Sequence, residues 1–145
     1  MGGDGADTLI AGAGSDSLTG GGEVDVFVFG TTDSGLSLAT ADSITDFTSA
    51  ADTLRLGLAG DGTAGTGNYV EAGAAVADFA AALAAADLAL AALNGTSAAS
   101  QLYAFEFDGT NGYLFVDTDS DGDADQVIVL TGLDNTEISA GDIVT

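Results

Sequence analysis

The 145-residue sequence contains no cysteine and no histidine, and its only basic side chain is that of Arg55. Without cysteine the chain forms no disulfide and no thiolate metal site. Without histidine it lacks the usual general base and the usual transition-metal ligand. A single basic residue also argues against nucleic acid and anionic membrane surfaces as partners, because phosphate groups are bound mainly by lysine and arginine.

Acidic side chains dominate the charged residues that remain. The sequence has 23 acidic residues and a formal net charge of −22 at pH 7, yet 46% of its residues are hydrophobic. Such a chain can bury a core, but the like charges of a small acidic domain repel one another and destabilise the compact state. The charges must therefore stay in solvent or be offset by a bound cation. Calcium is the natural cation because it prefers carboxylate and carbonyl oxygens.

The sequence shows neither a signal peptide nor a membrane-spanning segment. Met1 is followed directly by glycines, without the basic and apolar regions of a secretory leader. The longest apolar stretch, residues 72–93, is mostly alanine and is interrupted by Asp78 and Asp87, so we expect no membrane insertion. Because the chain begins inside a repeat, we expect residues 1–145 to be one domain of a longer parent chain that continues upstream.

Residues 2–28 consist of three units of nine residues in one register, and the repeat region extends to residue 30. The sixth position of each unit is aspartate, the eighth is large and apolar, and the second is glycine. The fourth is glycine in two units and glutamate in the third. The sixth-position aspartates are Asp7, Asp16 and Asp25, and the eighth-position apolar residues are Leu9, Leu18 and Phe27. The second position holds Gly3, Gly12 and Gly21, and the fourth holds Gly5, Gly14 and Glu23. A flexible Gly/Asp-rich linker, the alternative, has no reason to keep this register.

This register predicts a solenoid of tight turns and short parallel strands. Six glycine-rich residues can turn because glycine adopts positive φ without steric cost, and three further residues form a strand with one inward apolar side chain. Two units complete a coil, so the first and third turns lie on one side, where several oxygens can converge on one ion. These are the carbonyls near Gly3, Gly5 and Gly21, the carboxylates of Asp7 and Asp25, and an oxygen of Glu23. The turn with Gly12, Gly14 and Asp16 faces the other side and needs a partner from an upstream repeat or from the following segment.

The units GGDGADTLI, AGAGSDSLT and GGGEVDVFV resemble the GGxGxDxUx nonapeptide of RTX (repeats-in-toxin) calcium-binding proteins. The later patterns D-x-I-x-D-F, residues 42–47, and A-D-x-L-x-L, residues 51–56, are similar to the C-terminal domain of serralysin-type metalloproteases. The resemblance implies a parallel β-roll that holds several calcium ions and passes into antiparallel strands. In that setting Asp42 is a candidate ligand that caps the last calcium turn, although a turn or N-cap role is equally compatible with the sequence.

The centre of the chain predicts strands within residues 42–58, a loop at residues 61–68 and a helix over residues 71–95. Leu54, Leu56 and Leu58 alternate at period two, which is typical of a strand. Apolar residues from Val76 to Leu93 recur at three- and four-residue spacing on good helix formers. We expect this alanine-rich helix to pack on the sheet, with a partner-binding helix as the alternative.

Residues 102–145 predict a set of C-terminal strands that carries a second calcium site. Tyr103, Phe105 and Phe107 alternate on one face, and residues 108–112 form a hairpin turn. The next turn reads DTDSDGDAD, residues 117–125, and its first half matches the EF-hand pattern D-x-D-x-D-G. The candidate ligands are Asp117, Asp119, Asp121, Asp123 and Asp125. Because position twelve is Ile128 rather than a bidentate glutamate, and strands flank the loop, we interpret it as a calcium-binding hairpin loop, with a solvated acidic turn as the alternative.

The combined prediction is a mainly β protein. A short parallel β-roll continues into an antiparallel, β-sandwich-like part with one packed Ala-rich helix. The tail, which contains Leu133, Ile138 and the ending Asp142-Ile143-Val144, is similar to the serralysin-type terminus, which forms part of an uncleaved type I secretion signal. The resemblance implies a module that folds on calcium binding outside a Gram-negative-type bacterium and transiently meets a type I (ABC) secretion apparatus. A surface protein of the S-layer or adhesin class is the alternative, and no HExxH or GxSxG motif predicts an enzyme.

Overall fold

The computed structural model describes residues 1–49, 51–63 and 65–145. Ala50 and Ala64, which fall in the predicted strand segment 42–58 and in the predicted loop 61–68, lie outside the described residues. The described chain forms short strands in its first half, then one α-helix and three longer strands. The strands are β1 (Gly3–Asp4), β2 (Thr8–Ile10), β3 (Ser17–Leu18), β4 (Gly21–Gly22), β5 (Val26–Val28), β6 (Asp42–Ile44), β7 (Thr53–Arg55), β8 (Tyr69–Glu71), β9 (Leu102–Phe107), β10 (Asn111–Asp117), β11 (Gln126–Thr131) and β12 (Ile143–Val144), and the helix is α1 (Phe79–Asn94).

The N-terminal strands wind into the predicted parallel β-roll. One wall is a four-stranded sheet with the order β12-β7-β5-β2, and β3 beside β6 begins the opposite wall. The parallel register places Leu9 beside Phe27 and Phe27 beside Leu54, while Leu18 lies beside Ile44 across the roll. All five side chains belong to one buried apolar cluster. The inward apolar position of each nonapeptide unit therefore builds the core.

The second wall continues into a mixed six-stranded sheet with the order β3-β6-β11-β10-β9-β8. Strands β9, β10 and β11 are antiparallel, whereas β11 is parallel to β6 and β8 is parallel to β9. Tyr103, Phe105 and Phe107 face the roll core as predicted, and Leu102 and Ala104 face the helix. Because both faces are covered, every residue of β9 is buried and the strand shows no polar alternation.

Helix α1 covers the outer face of this sheet, which confirms a packed alanine-rich helix but not its predicted extent. The helix begins at Phe79 rather than at residue 71, because Glu71 ends strand β8 and the Asp78 carboxylate accepts a hydrogen bond from the Ala81 N–H at 2.9 Å. This is an N-cap, which defines a helix start. The buried helix residues are Ala82, Ala86 and Leu90. Among the described residues, no helix is long and apolar enough to cross a membrane.

The C-terminal tail is built into the roll. Strand β12 pairs with β7 in parallel, with Ile143 beside Leu54. Leu133, Ile138 and Ile143 join the main apolar cluster, as the sequence predicts. Residues from both ends of the chain therefore share the four-stranded sheet.

Candidate calcium sites

The three nonapeptide turns have the backbone geometry that the repeat predicts. The second position of each unit has positive φ, 119° at Gly3, 75° at Gly12 and 109° at Gly21. The fourth position does too, with 103° at Gly5, 134° at Gly14 and 76° at Glu23. Glycine adopts this conformation freely, whereas Glu23 carries a steric cost. Positive φ thus explains why glycine recurs at the second and fourth positions of the nine-residue unit.

Asp7, Asp25 and Asp52 form a column along one side of the roll. The Asp7 N–H donates to Asp25 Oδ1 at 2.9 Å, and the Asp25 N–H donates to Asp52 Oδ1 at 2.9 Å. Asp7 Oδ2 and Asp25 Oδ2 are buried and have no hydrogen-bond partner among the described residues. Asp25 itself is fully buried. A buried carboxylate oxygen without a partner is costly, so this turn pair requires a cation or a donor from outside the chain.

In the first and third units, the opening glycine packs directly against the sixth-position carboxylate of its own unit. A Cβ added at Gly2 would overlap Asp7 Oδ2, and one added at Gly20 would overlap Asp25 Oδ2. A Cβ at Gly21 would also overlap the carbonyl oxygen of Gly3 in the turn stacked on it. The first and third turns therefore approach closely, and the set Gly3, Gly5, Gly21, Glu23, Asp7 and Asp25 stays the predicted ligand set of this turn pair.

The second predicted turn finds its partner in the segment that follows it. The Asp16 N–H donates to Asp42 Oδ1 at 2.8 Å, which repeats the arrangement of Asp7 and Asp25. Asp42 is fully buried, and its Oδ2 lacks a partner among the described residues. Burial raises the pKa of the Asp42 carboxyl, and the charges of Asp16 and Asp33 raise it further, against the hydrogen bond from Asp16. Asp42 therefore occupies the place that the sequence left open opposite Gly12, Gly14 and Asp16.

Asp46 and Asp52 hold the next turn on the column, a role that the sequence analysis missed. The two Asp46 oxygens accept hydrogen bonds from the N–H groups of Gly20 and Gly21, each at 2.9 Å. Asp52 Oδ1 accepts from Asp25, and its Oδ2 accepts from the Thr48 N–H at 2.8 Å. The signal was present in the sequence, because Asp52 precedes β7 as Asp25 precedes β5.

The acidic hairpin loop between β10 and β11 brings together part of its predicted ligand set. Asp117, Asp119 and Asp125 form a group whose carboxylate oxygens lie within 4.8 Å of one another. Asp117 is fully buried; its Oδ2 accepts from the Gly122 N–H at 2.8 Å and its Oδ1 from the Ser120 N–H at 2.6 Å. Asp121 and Asp123 are exposed and lie outside this group. The loop thus gathers three carboxylates rather than five.

These donor sets suit calcium. Each candidate site offers carboxylate oxygens, which are hard ligands of the kind that Ca²⁺ prefers, and the chain has no thiol or imidazole. The buried oxygens Asp7 Oδ2, Asp25 Oδ2 and Asp42 Oδ2 pass the decisive test of fit, because they accept no hydrogen bond from the described chain.

Parallel coils closed by glycine turns and columns of aspartate define a β-roll of stacked repeats. Residues 1–33 match the family model of the RTX calcium-binding nonapeptide repeat (4 copies), so this segment is similar to the calcium-binding repeats of RTX proteins. No curated protein has a significant sequence match to the chain.

Proposed function

We propose that this chain is a calcium-dependent folding module of a secreted protein. The observation that carries the proposal is the set of buried carboxylate oxygens of Asp7, Asp25 and Asp42 that accept no hydrogen bond from the described chain. Each is an acceptor placed where stacked turns meet. Calcium bound there converts an electrostatic penalty into an attraction between coils.

The net charge makes the expected effect of calcium on the free energy of folding large. The formal charge of −22 on 145 residues destabilises the compact state when no cation is bound. Ordering a chain with 22 glycines is also entropically costly. Because calcium binds the folded turns and not the extended chain, its binding free energy adds to the free energy of folding. Extracellular calcium modules have dissociation constants of roughly 10⁻⁴ to 10⁻³ M, so such sites fill outside a cell and empty in a calcium-poor cytosol.

The proposed secretion role follows from the difference in calcium concentration between the cytosol and the exterior of the cell. An unfolded chain can pass a type I channel and then fold in external calcium. The tail supports this part of the proposal, because Asp142 accepts hydrogen bonds from the Ser139 N–H at 2.7 Å and from Ser49 Oγ at 2.8 Å. The folded protein thus holds its terminal residues in the roll, and only the unfolded chain offers them in a free form.

A calcium titration of the whole chain, followed by far-UV circular dichroism, tests the proposal. We expect EDTA-treated protein to lack most of its strand signal and to gain it cooperatively at about 10⁻⁴ to 10⁻³ M Ca²⁺. Magnesium at the same concentration is the control, and it should act weakly because it keeps its water ligands. Full structure in EDTA, with no change on adding Ca²⁺, would overturn the proposal. The secretion step is tested separately, by export of the chain with and without residues 139–145 from cells that carry a type I apparatus.

A further inference from the structure

Besides the oxygens of Asp7, Asp25 and Asp42, a fourth buried oxygen of the described chain lacks a hydrogen-bond partner. It belongs to Gln126, in the sheet that also contains Asp42. Gln126, the first residue of β11, is only 2% exposed, and its Oε1 accepts no hydrogen bond from the described chain. A buried amide oxygen without a donor costs free energy, so its retention calls for an explanation. Gln126 lies outside the repeats and outside the acidic loop.

Strand pairing places Gln126 on the same face as Asp42. In β11, Ile128 and Leu130 face the roll core, whereas Val127 faces the helix. Side chains alternate along a strand, so Gln126 shares the core face with Ile128. Asp42 also faces that side, because it alternates with Ser43 and precedes the core residue Ile44 by two positions.

The register brings the two side chains within reach of one ion. Asp42 lies directly beside Ile128 in the parallel pair of β6 and β11, and Gln126 is two residues before Ile128. Neighbouring strands are about 4.8 Å apart and two residues along a strand span about 6.6 Å, so these diagonal neighbours lie roughly 8 Å apart, within reach of long side chains. Two oxygens on one Ca²⁺ can be up to about 5 Å apart, since each lies 2.3–2.6 Å from the ion. The glutamine and aspartate side chains can span the remaining distance.

We propose that Gln126 Oε1 completes the calcium site of Asp16 and Asp42, so that one ion joins the nonapeptide roll to the C-terminal sheet. The inference rests on the proposed function, because it assigns a further ligand to one of its sites. Its ligands then come from a repeat turn, from the strand that follows the repeats and from the C-terminal sheet. The ion thereby links segments more than 80 residues apart in sequence.

Two substitutions in the full chain test the assignment through their order of effect. Gln126→Met removes the oxygen and keeps the volume, and Gln126→Glu replaces the amide oxygen with a carboxylate oxygen. If Gln126 is a ligand, Gln126→Met raises the Ca²⁺ midpoint of folding on the order of tenfold, and Gln126→Glu stays closer to the natural chain. If Gln126 only fills space, the order reverses, because an apolar side chain suits an apolar core and a second buried charge beside Asp42 does not.

Gln101 provides the matched control, because it is buried but its Oε1 accepts a hydrogen bond from the Tyr103 hydroxyl at 3.2 Å. For this residue we expect the glutamate variant to have no advantage over the methionine variant. A Gln126→Met chain with an unchanged Ca²⁺ midpoint, or one less affected than Gln126→Glu, overturns the assignment and leaves the calcium-folding proposal intact. If the natural chain itself does not respond to Ca²⁺, both proposals fail.

Discussion

Two intervals of one aspartate column differ in how their carboxylates are satisfied. Between the turns of Asp7 and Asp25, each residue has a buried Oδ2 that accepts no hydrogen bond from the described chain. Between the turns of Asp25 and Asp52, backbone N–H groups reach both oxygens of Asp52 and both oxygens of Asp46. The stacked coils of the roll are thus continuous, but the groups that satisfy their carboxylates differ between the two intervals.

The difference shows what a cation does in such a column. A turn that supplies enough N–H groups satisfies its own carboxylates, and a hydrogen bond to a charged acceptor contributes roughly 1.5–3 kcal/mol. A repeat turn leaves one oxygen over, and this oxygen can ligate an ion instead. Along this column we therefore expect calcium between the turns of Asp7 and Asp25 and direct protein hydrogen bonds between the turns of Asp25 and Asp52.

The largest expected effect separates Asp25 from Asp52. Asp25→Asn should remove one bound Ca²⁺ and raise the Ca²⁺ midpoint of folding by tenfold or more, because the ion loses a carboxylate. Asp52→Asn should keep the number of ions and lower the unfolding free energy at saturating calcium by about 1–3 kcal/mol, through weaker hydrogen bonds. Isothermal titration calorimetry gives the stoichiometry, and urea unfolding gives the stability. Loss of an ion in the Asp52 variant would remove the distinction.

An intermediate effect tests the close contact of glycine with the ligand carboxylate. Gly20→Ala places a Cβ against Asp25 Oδ2, so it should cost about 1–3 kcal/mol at saturating calcium, as overpacking does. Gly22→Ala is the matched control, because no atom lies within 4 Å of an added Cβ there. Urea unfolding should show a change of less than about 0.5 kcal/mol for the control. Equal losses at both positions would show that contact with the Asp25 carboxylate does not set the cost, because alanine lowers the entropy of the unfolded chain and by that effect alone would stabilise both variants.

The smallest expected effect concerns Glu23, which has a φ of 76° where the other two units have glycine. Glu23→Gly should stabilise the folded backbone by up to about 1 kcal/mol, because the left-handed conformation costs a non-glycine residue about 1–2 kcal/mol and glycine adds entropy to the unfolded chain. Glu23→Ala keeps the strain and removes the carboxylate. A weaker Ca²⁺ response in both variants would identify the Glu23 carboxylate as a ligand. Destabilisation of the glycine variant alone would contradict the expected relief of strain.

The repeats could be predicted from the sequence because their geometry is local. The register of Asp7, Asp16 and Asp25 follows from a period that can be counted, and each unit uses the same turn. The partner of Asp16 stayed open between an upstream repeat and the following segment, because a loop of irregular length separates Asp16 from Asp42. Gln126 could not be predicted at all, since its place depends on the pairing of β6 with β11.

Local patterns also misled where tertiary pairing decides the structure. Residues 71–78 have an alanine-rich composition that favours a helix. Strand β8 nevertheless pairs with β9, and the helix begins only after its N-cap at Asp78. In the acidic loop, the sequence names five aspartates as candidate ligands, and the hairpin brings carboxylate oxygens of Asp117, Asp119 and Asp125 within 4.8 Å of one another. A strand-flanked loop closes through its two ends, which brings Asp125 close to Asp117.

The pairing of β12 with β7 has a consequence for the timing of folding. The four-stranded sheet contains residues 8–10 and residues 143–144, so its hydrogen bonds cannot be completed before the last residues are available. Contacts between such distant segments slow folding, because a long loop must close first. Until residues 143–144 can pair with β7, the sheet lacks its fourth strand. The topology therefore delays completion of this sheet until that segment is free to pair.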